Sequence, residues 1–145
     1  MNSKRKGNIT EAAILTEFIK RGIPVLLPFG DNERYDMVIE VNGDFKRIQC
    51  KTGRYRNGCV NFQCCSSQAH RGKGYQSYKD DIDYFAVYCE ELNLHALVPI
   101  ELSKKTEAHL RVENTKNLQT KNIVWFSDFS LDKQLENIYS SVAQR

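Results

Sequence analysis

Little in this sequence would hold it in a membrane or staple it together outside a cell. No apolar run approaches the roughly 20 residues a spanning helix needs. The basic start Met1-Asn2-Ser3-Lys4-Arg5-Lys6 leads into no apolar stretch of the secretory-signal kind. Five cysteines are an odd number, and their spacing lays out no disulfide frame. There is no repeat, no low-complexity linker, no Gly-rich phosphate cradle, no His-Glu-x-x-His helix and no serine nucleophile elbow. These absences exclude several enzyme classes. What remains, 145 residues with 41% hydrophobic and 10% aromatic content, is enough for one domain with a real core. The expectation is a single-domain, soluble, cytoplasmic protein.

The most informative absence is local. From Phe45 to Lys79 there is no Asp or Glu, yet the stretch holds eight bases: Lys46, Arg47, Lys51, Arg54, Arg56, Arg71, Lys73 and Lys79. The net charge of +3 therefore resolves into a segment at +8 and a remainder at −5. Tyr55, Phe62, Tyr75 and Tyr78 are interleaved with the bases, and His70 lies among them. Basic side chains between aromatics and glycines suit a phosphate-binding surface, because each phosphate contact releases counterions. A solvated loop whose charges balance acids elsewhere is the plainer alternative.

Residues 8–21 read as a helix with Asn8 as N-cap, Glu11 three residues on, and Gly22 as its stop. That spacing is close to a capping box, which would give Glu11 a purely structural role. Ile23 to Leu27 suggests an edge strand because of Pro24. Residues 35–41 and 45–51 flank Asn42-Gly43, a strong hairpin signal. Further strands are expected at 58–65, 84–88, 94–100 and 122–126, and a short helix then a strand within 101–113. An amphipathic helix over about 130–143, capped by Asp128 or Ser130, carries Leu131, Leu135, Ile138 and Val142. The fold class is α/β (α+β) around a mixed β-sheet.

The hairpin register carries the chemistry. With Asn42-Gly43 in the turn, Val41 faces Asp44, and counting down both strands puts Asp36 opposite Gln49. Opposed side chains share a face with Cβ atoms roughly 4.5–5.5 Å apart, and Lys51, two residues on, joins them. Ile48, Cys50, Met37 and Ile39 point into the core. A carboxylate, an amide and an ammonium thus converge: oxygen ligands for Mg²⁺, and a cation to orient water or neutralise a phosphate. An ordinary exposed hairpin face would show the same residue types. Cys59, Cys64, Cys65 and His70 match no familiar zinc spacing. Asp80, Asp81 and Asp83 read as an acidic turn entering a strand, and His95 and His109 as structural residues.

Asp36, followed 13 residues later by Gln49-Cys50-Lys51, resembles the PD-(D/E)xK nuclease superfamily, and Glu11 matches the acidic residue many members bring from their first helix. Gly7-Asn8-Ile9-Thr10-Glu11-Ala12, Arg34-Tyr35-Asp36 and Ile48-Gln49-Cys50-Lys51-Thr52-Gly53 resemble the group I intron homing endonucleases of cyanobacteria, of the tRNA-intron type, themselves similar to archaeal Holliday-junction resolvases. Asp80 to Tyr88 resembles the strand that follows the active site in these families, and the likeness runs from residue 7 to about 130. Tyr35 stands where the motif has proline, and Gln49 where it has an acid. The homing branch is known for this Gln form; elsewhere the change would suit a degenerate, non-catalytic nucleic-acid-binding module. LAGLIDADG-type and GIY-YIG-type signatures are absent.

The resemblance implies a restriction-endonuclease-like core with a mixed sheet flanked by helices. It implies that Glu11, Asp36 and Gln49 hold Mg²⁺, with Mn²⁺ as a substitute, while Lys51 assists the attacking water. Arg54, Tyr55, Arg56, His70, Arg71, Lys73, Tyr75 and Lys79 would contact double-stranded DNA. The implied activity is sequence-specific cleavage of the intron-homing type, with a junction-cutting resolvase as the nearest alternative. One small subunit with one site cuts one strand, so a homo-oligomer is expected, at least a dimer and in the homing branch a tetramer. The terminal-helix stripe is either a subunit contact or part of the core.

Overall fold

A computed structural model describes residues 2–67, 75–104, 106–115, 117 and 121–143. Helix α1 spans Ser3–Lys20, earlier than the sequence pattern suggests, because Asn2 rather than Asn8 is the N-cap. The Asn2 side chain accepts from the Arg5 N–H at 2.8 Å. Gly7 is carried inside the helix, at a cost of about 1 kcal/mol relative to alanine. Gly22, at φ +73°, stops it as expected. Thr10, Ile14 and Phe18 are buried.

Strand β1 (Val25–Leu26) is a short edge strand paired antiparallel with β2 (Met37–Val41). Asn42 and Gly43, both at positive φ, turn the chain into β3 (Asp44–Arg56). β3 is much longer than the expected 45–51. It continues to a second Asn-Gly turn, Asn57-Gly58, which opens β4 (Cys59–Gln63). β5 (Cys65–Ser67) and β6 (Tyr75–Ser77) form a separate two-stranded hairpin. β7 (Tyr84–Cys89) and β8 (Leu94–Pro99) are the antiparallel pair expected there. A 3₁₀ turn at Ile100–Leu102 precedes β9 (Glu107–Arg111). The expected strand at 122–126 does not form. Trp125 makes a single parallel bridge to Arg111, and Phe126–Phe129 is a 3₁₀ turn. Helix α2 (Leu131–Ala143) follows, with Ser130 Oγ accepting from the Lys133 N–H.

Among the described residues seven strands make one mixed sheet, and β3 is its hub. β3 pairs antiparallel with β2 and β4 but parallel with β7. Both helices lie on one face: Ile14, Phe18, Leu131, Leu135 and Ile138 cluster with Met37, Ile39, Ile48, Ala86 and Leu97. Of the two roles open to the terminal stripe, Leu131, Leu135 and Ile138 fill the core one, and the Val142 side chain lies outside the described residues. The opposite face of β7 and β8 is closed by β4 and β9, whose Val60, Phe62, Ala108 and Leu110 cluster with Phe85, Val87, Ala96 and Val98. The curl that allows this passes Gly53. A Cβ there would lie 2.7 Å from Val60 Cγ1 and 2.9 Å from Val87 Cγ1.

Candidate active site

The ladder between β2 and β3 runs from Val41↔Asp44 to Met37↔Ile48, the register read from the Asn-Gly turn. Asp36 lies just outside it, its N–H donating at 2.7 Å to the carbonyl of Ile48, the residue that Met37 already faces, so the expected Asp36–Gln49 pair is not part of the ladder. Asp36 stands where β2 begins and the chain arrives from the loop after β1, one residue before the paired strand. One carboxylate oxygen, Oδ2, accepts the Cys50 backbone N–H at 2.8 Å. This fixes the side chain and leaves Oδ1 available to another partner.

Glu11 arrives from the helix. α1 lies over β3, and the two are joined by a hydrogen bond of 2.6 Å between the Thr10 and Thr52 hydroxyls. Glu11 is half-buried and sits in the third turn of the helix, so it caps nothing, and the capping-box role is overturned. Burial pushes its carboxyl above the ordinary value, and the Asp36 carboxylate pushes it further. Burial also raises Asp36, against the Cys50 N–H and the Lys51 ammonium, which pull it down. The Cys50 thiol between them is driven well up by burial and then by Asp36 and Glu11. Two carboxylates thus crowd one partly buried spot, an arrangement that a cation relieves.

Lys51 is half-buried on the Gln49 face. Its Nζ donates to the Tyr78 hydroxyl at 3.3 Å and to the Cys65 carbonyl at 3.4 Å, and lies 4.7 Å from the centre of the Tyr78 ring. The same ring carries the Arg34 guanidinium, with Cζ 4.0 Å from the centroid. Arg34 also donates to the Asp81 carboxylate, Ser66 Oγ, and the Ser77 and Gln76 carbonyls, tying the β5–β6 hairpin to the approach of β2. Sequence reading counted Tyr78 only among the aromatics of a phosphate-binding surface and Arg34 only as part of the Arg34-Tyr35-Asp36 phrase. Arg34 lies two residues before Asp36, which was the one available signal. Tyr78 is 27 residues from Lys51, and nothing local joins them.

The expected DNA contacts separate. Arg54 and Arg56 are exposed and line a cleft of about 540 Å³ with Ser3, Lys6, Lys51 and Asn61. Tyr55 points to the opposite face, its hydroxyl donating to the Glu113 carboxylate. Lys79 lines another cleft of similar size with Arg47, Asp83 and Lys104. His70, Arg71, Lys73 and the Tyr75 side chain lie outside the described residues. Asp83 accepts from the Arg47 N–H at 2.7 Å and pairs with its guanidinium at 3.3 Å, so the acidic turn is structural. Among the described residues no group of three or more His, Cys, Asp or Glu side chains comes together as a metal cluster. Glu11 and Asp36 supply two acids, and a third oxygen would have to be the Gln49 amide. That donor set is one Mg²⁺ accepts.

The sequence pattern of the PD-(D/E)XK endonuclease family matches residues 1–132. The chain belongs to that family. The structure of a bacterial homing endonuclease, I-Ssp6803I, is similar over 100% of this chain and 98% of that one, with a TM-score of 0.79 and 26% identity. No curated protein sequence matches it. In this PD-(D/E)XK endonuclease β3 and β7 pair in parallel beside the candidate site. Among the described residues no helix is long and apolar enough to cross a membrane.

Proposed function

We propose that this chain is a Mg²⁺-dependent, sequence-specific endonuclease of double-stranded DNA, of the intron-homing type, working as a homo-oligomer in the cytoplasm. The observation that supports it best is the meeting of the Glu11 and Asp36 carboxylates beside Cys50, with Asp36 held by the Cys50 N–H and the Lys51 ammonium close enough to act on it. Glu11, Asp36 and Gln49 would hold the metal, for which Mn²⁺ is a substitute. When bound, Mg²⁺ supplies positive charge to the scissile phosphate and lowers the pKa of water. Asp36 is oriented by the Cys50 N–H, so its free oxygen is presented at a fixed angle. Lys51 keeps three N–H donors on a compact charge and neutralises the charge that builds on the phosphate. Its anchorage on Tyr78 and Cys65 limits how far that charge can stray.

Asp36→Asn and Lys51→Ala should each abolish cleavage, with a fall of at least about a hundredfold, while duplex binding stays within a few-fold. Cleavage assays and gel shifts on the same preparations check this, and joint loss of binding and cleavage overturns the assignment. The amide at Gln49 also suits a binding module that no longer cuts. For that second reading, the wild type with Mg²⁺ and its target leaves no nicks, whereas the nuclease reading requires them.

A further inference from the structure

The sheet carries a polar face that cleavage chemistry does not use. β3, β4 and β9 lie side by side, with Arg54 across from Asn61 and Asn61 across from His109. One rung on, Gln63 faces Glu107. Side chains alternate along a strand, so Arg54, Asn61, Gln63 and His109 share one face. The other face carries Val60, Phe62, Ala108 and Leu110 into the core. α1 meets β3 at Thr52 through Thr10, and its first turns reach the rim of the next stretch through Ser3 and Lys6, where Arg54, Gln63 and His109 are exposed and Asn61 is half-exposed.

This face is ordered by its own bonds. Asn61 Oδ1 and His109 Nδ1 are 2.8 Å apart, and since a carbonyl oxygen only accepts, Nδ1 carries the proton. Gln63 Nε2 donates to Glu107 at 3.2 Å. These bonds leave Asn61 two amide N–H donors and Gln63 a carbonyl oxygen for other partners. The strands are held by an Asn57-Gly58 turn with both residues at positive φ, the I′ geometry that matches strand twist. Arg54, Asn61, Gln63 and the catalytic candidate Lys51 line the same cleft, with Lys6 at its rim.

The dimensions suit one occupant. Alternate residues along a strand are about 6.6–6.8 Å apart, close to two base steps of about 3.4 Å each. Neighbouring strands lie about 4.8 Å apart, so the reading residues of β3, β4 and β9 span about 10 Å, within the roughly 12 Å width of the B-DNA major groove, into which sheet strands of other readers also go. Arg pairs bidentately with guanine and Asn or Gln with adenine, which makes these the side chains of base readout rather than of simple charge attraction. Resting on the endonuclease reading above, we propose that Arg54, Asn61, Gln63 and His109 read base edges in the major groove beside the cut. Lys6 holds a phosphate at the rim.

The experiment selects bound sequences from a randomised duplex pool, using the full-length protein without divalent metal. Arg54→Lys keeps the charge but loses the planar fork, so affinity should hold within a few-fold while preference at one position drops. Asn61→Ala and His109→Ala should relax preference at a shared position, roughly 5- to 150-fold, the range of a good base contact. Lys6→Ala should weaken all sequences alike and flatten the salt dependence. Thermal melts confirm that each variant folds, and all four residues are on the surface. Unchanged sequence profiles in the Arg54, Asn61 and His109 variants overturn the inference. A wild type that cuts DNA but enriches no sequence overturns it while leaving the nuclease chemistry intact. A wild type that neither binds nor cuts overturns both.

Discussion

The Tyr78 hydroxyl accepts from Lys51 Nζ at 3.3 Å while its ring is covered by Arg34, so one residue holds two cations in different ways. Tyr78→Phe separates them. The ring and the Arg34 stack remain, and the packing against Phe85, with centroids 5.6 Å apart, is preserved. Only the acceptor for the ammonium is lost. A hydrogen bond to a charged group contributes about 1.5–3 kcal/mol, and the Cys65 carbonyl retains part of the anchorage. kcat should fall roughly tenfold with KM little changed, and an unchanged kcat means Tyr78 only fills space. Asp83 gives a pH signature of stability. Burial pushes its carboxyl up, but its bonds to the Arg47 guanidinium and N–H outweigh that and hold it below the ordinary value. A group depressed in the folded state stabilises above its unfolded pKa, about 3.9, and that contribution disappears as pH falls through the folded value. Asp83→Asn should therefore be less stable than wild type at neutral pH. Below about pH 4 the two denaturation midpoints should converge; parallel curves down to the lowest pH would remove the ion pair from the account.

At the level of elements, β3 carries most of the design, and Gly53 is its most constrained position. A methyl there meets Val60 and Val87 at 2.7 and 2.9 Å, and overpacking of this kind costs about 1–3 kcal/mol. Gly53→Ala should lower the melting temperature by roughly 2–4 °C per kcal/mol for a chain of this size. Adding Val60→Ala should relieve part of the clash, so the double variant loses less than the sum of the singles. The β2–β3 register was legible in advance because a two-residue turn fixes pairing and one buried face forbids slippage. The same Asn-Gly signal at 57–58 went unread, since the bases and glycines around it resemble a loop. The start of α1 was misplaced because Asn2 and Asn8 are equally good caps, and the polar, exposed residues 3–8 offer no apolar periodicity to choose between them. The 122–126 segment is apolar enough for a strand, yet β9 offers it a single bridge. Lys51's anchors, at Cys65 and Tyr78, are contacts of tertiary structure with no local pattern to betray them.

For the whole molecule, the charge segregation seen in the sequence becomes a division of labour. Arg47 is committed to Asp83, Lys51 is anchored on Tyr78, and Arg54 and Arg56 stay exposed at the end of β3. The +8 segment is thus partly scaffold and partly exposed charge, which no sum of charges could reveal. A duplex has two antiparallel strands, and the chain has one Asp36, one Gln49 and one Lys51. Cutting both strands in one binding event needs two copies related by a two-fold axis, which matches the symmetry of the backbone it cuts. Area argues the same way, because one module of this kind covers only about 600–1,000 Å² of DNA contact. Light scattering at micromolar concentration should therefore give at least twice the mass of a 16.8 kDa chain. As the protein is diluted through the dissociation range, supercoiled plasmid bearing the target should shift from linear product to nicked circles, because a lone subunit cuts only one strand. A monomeric mass that still yields linear product at the first turnover would sink the two-copy arrangement.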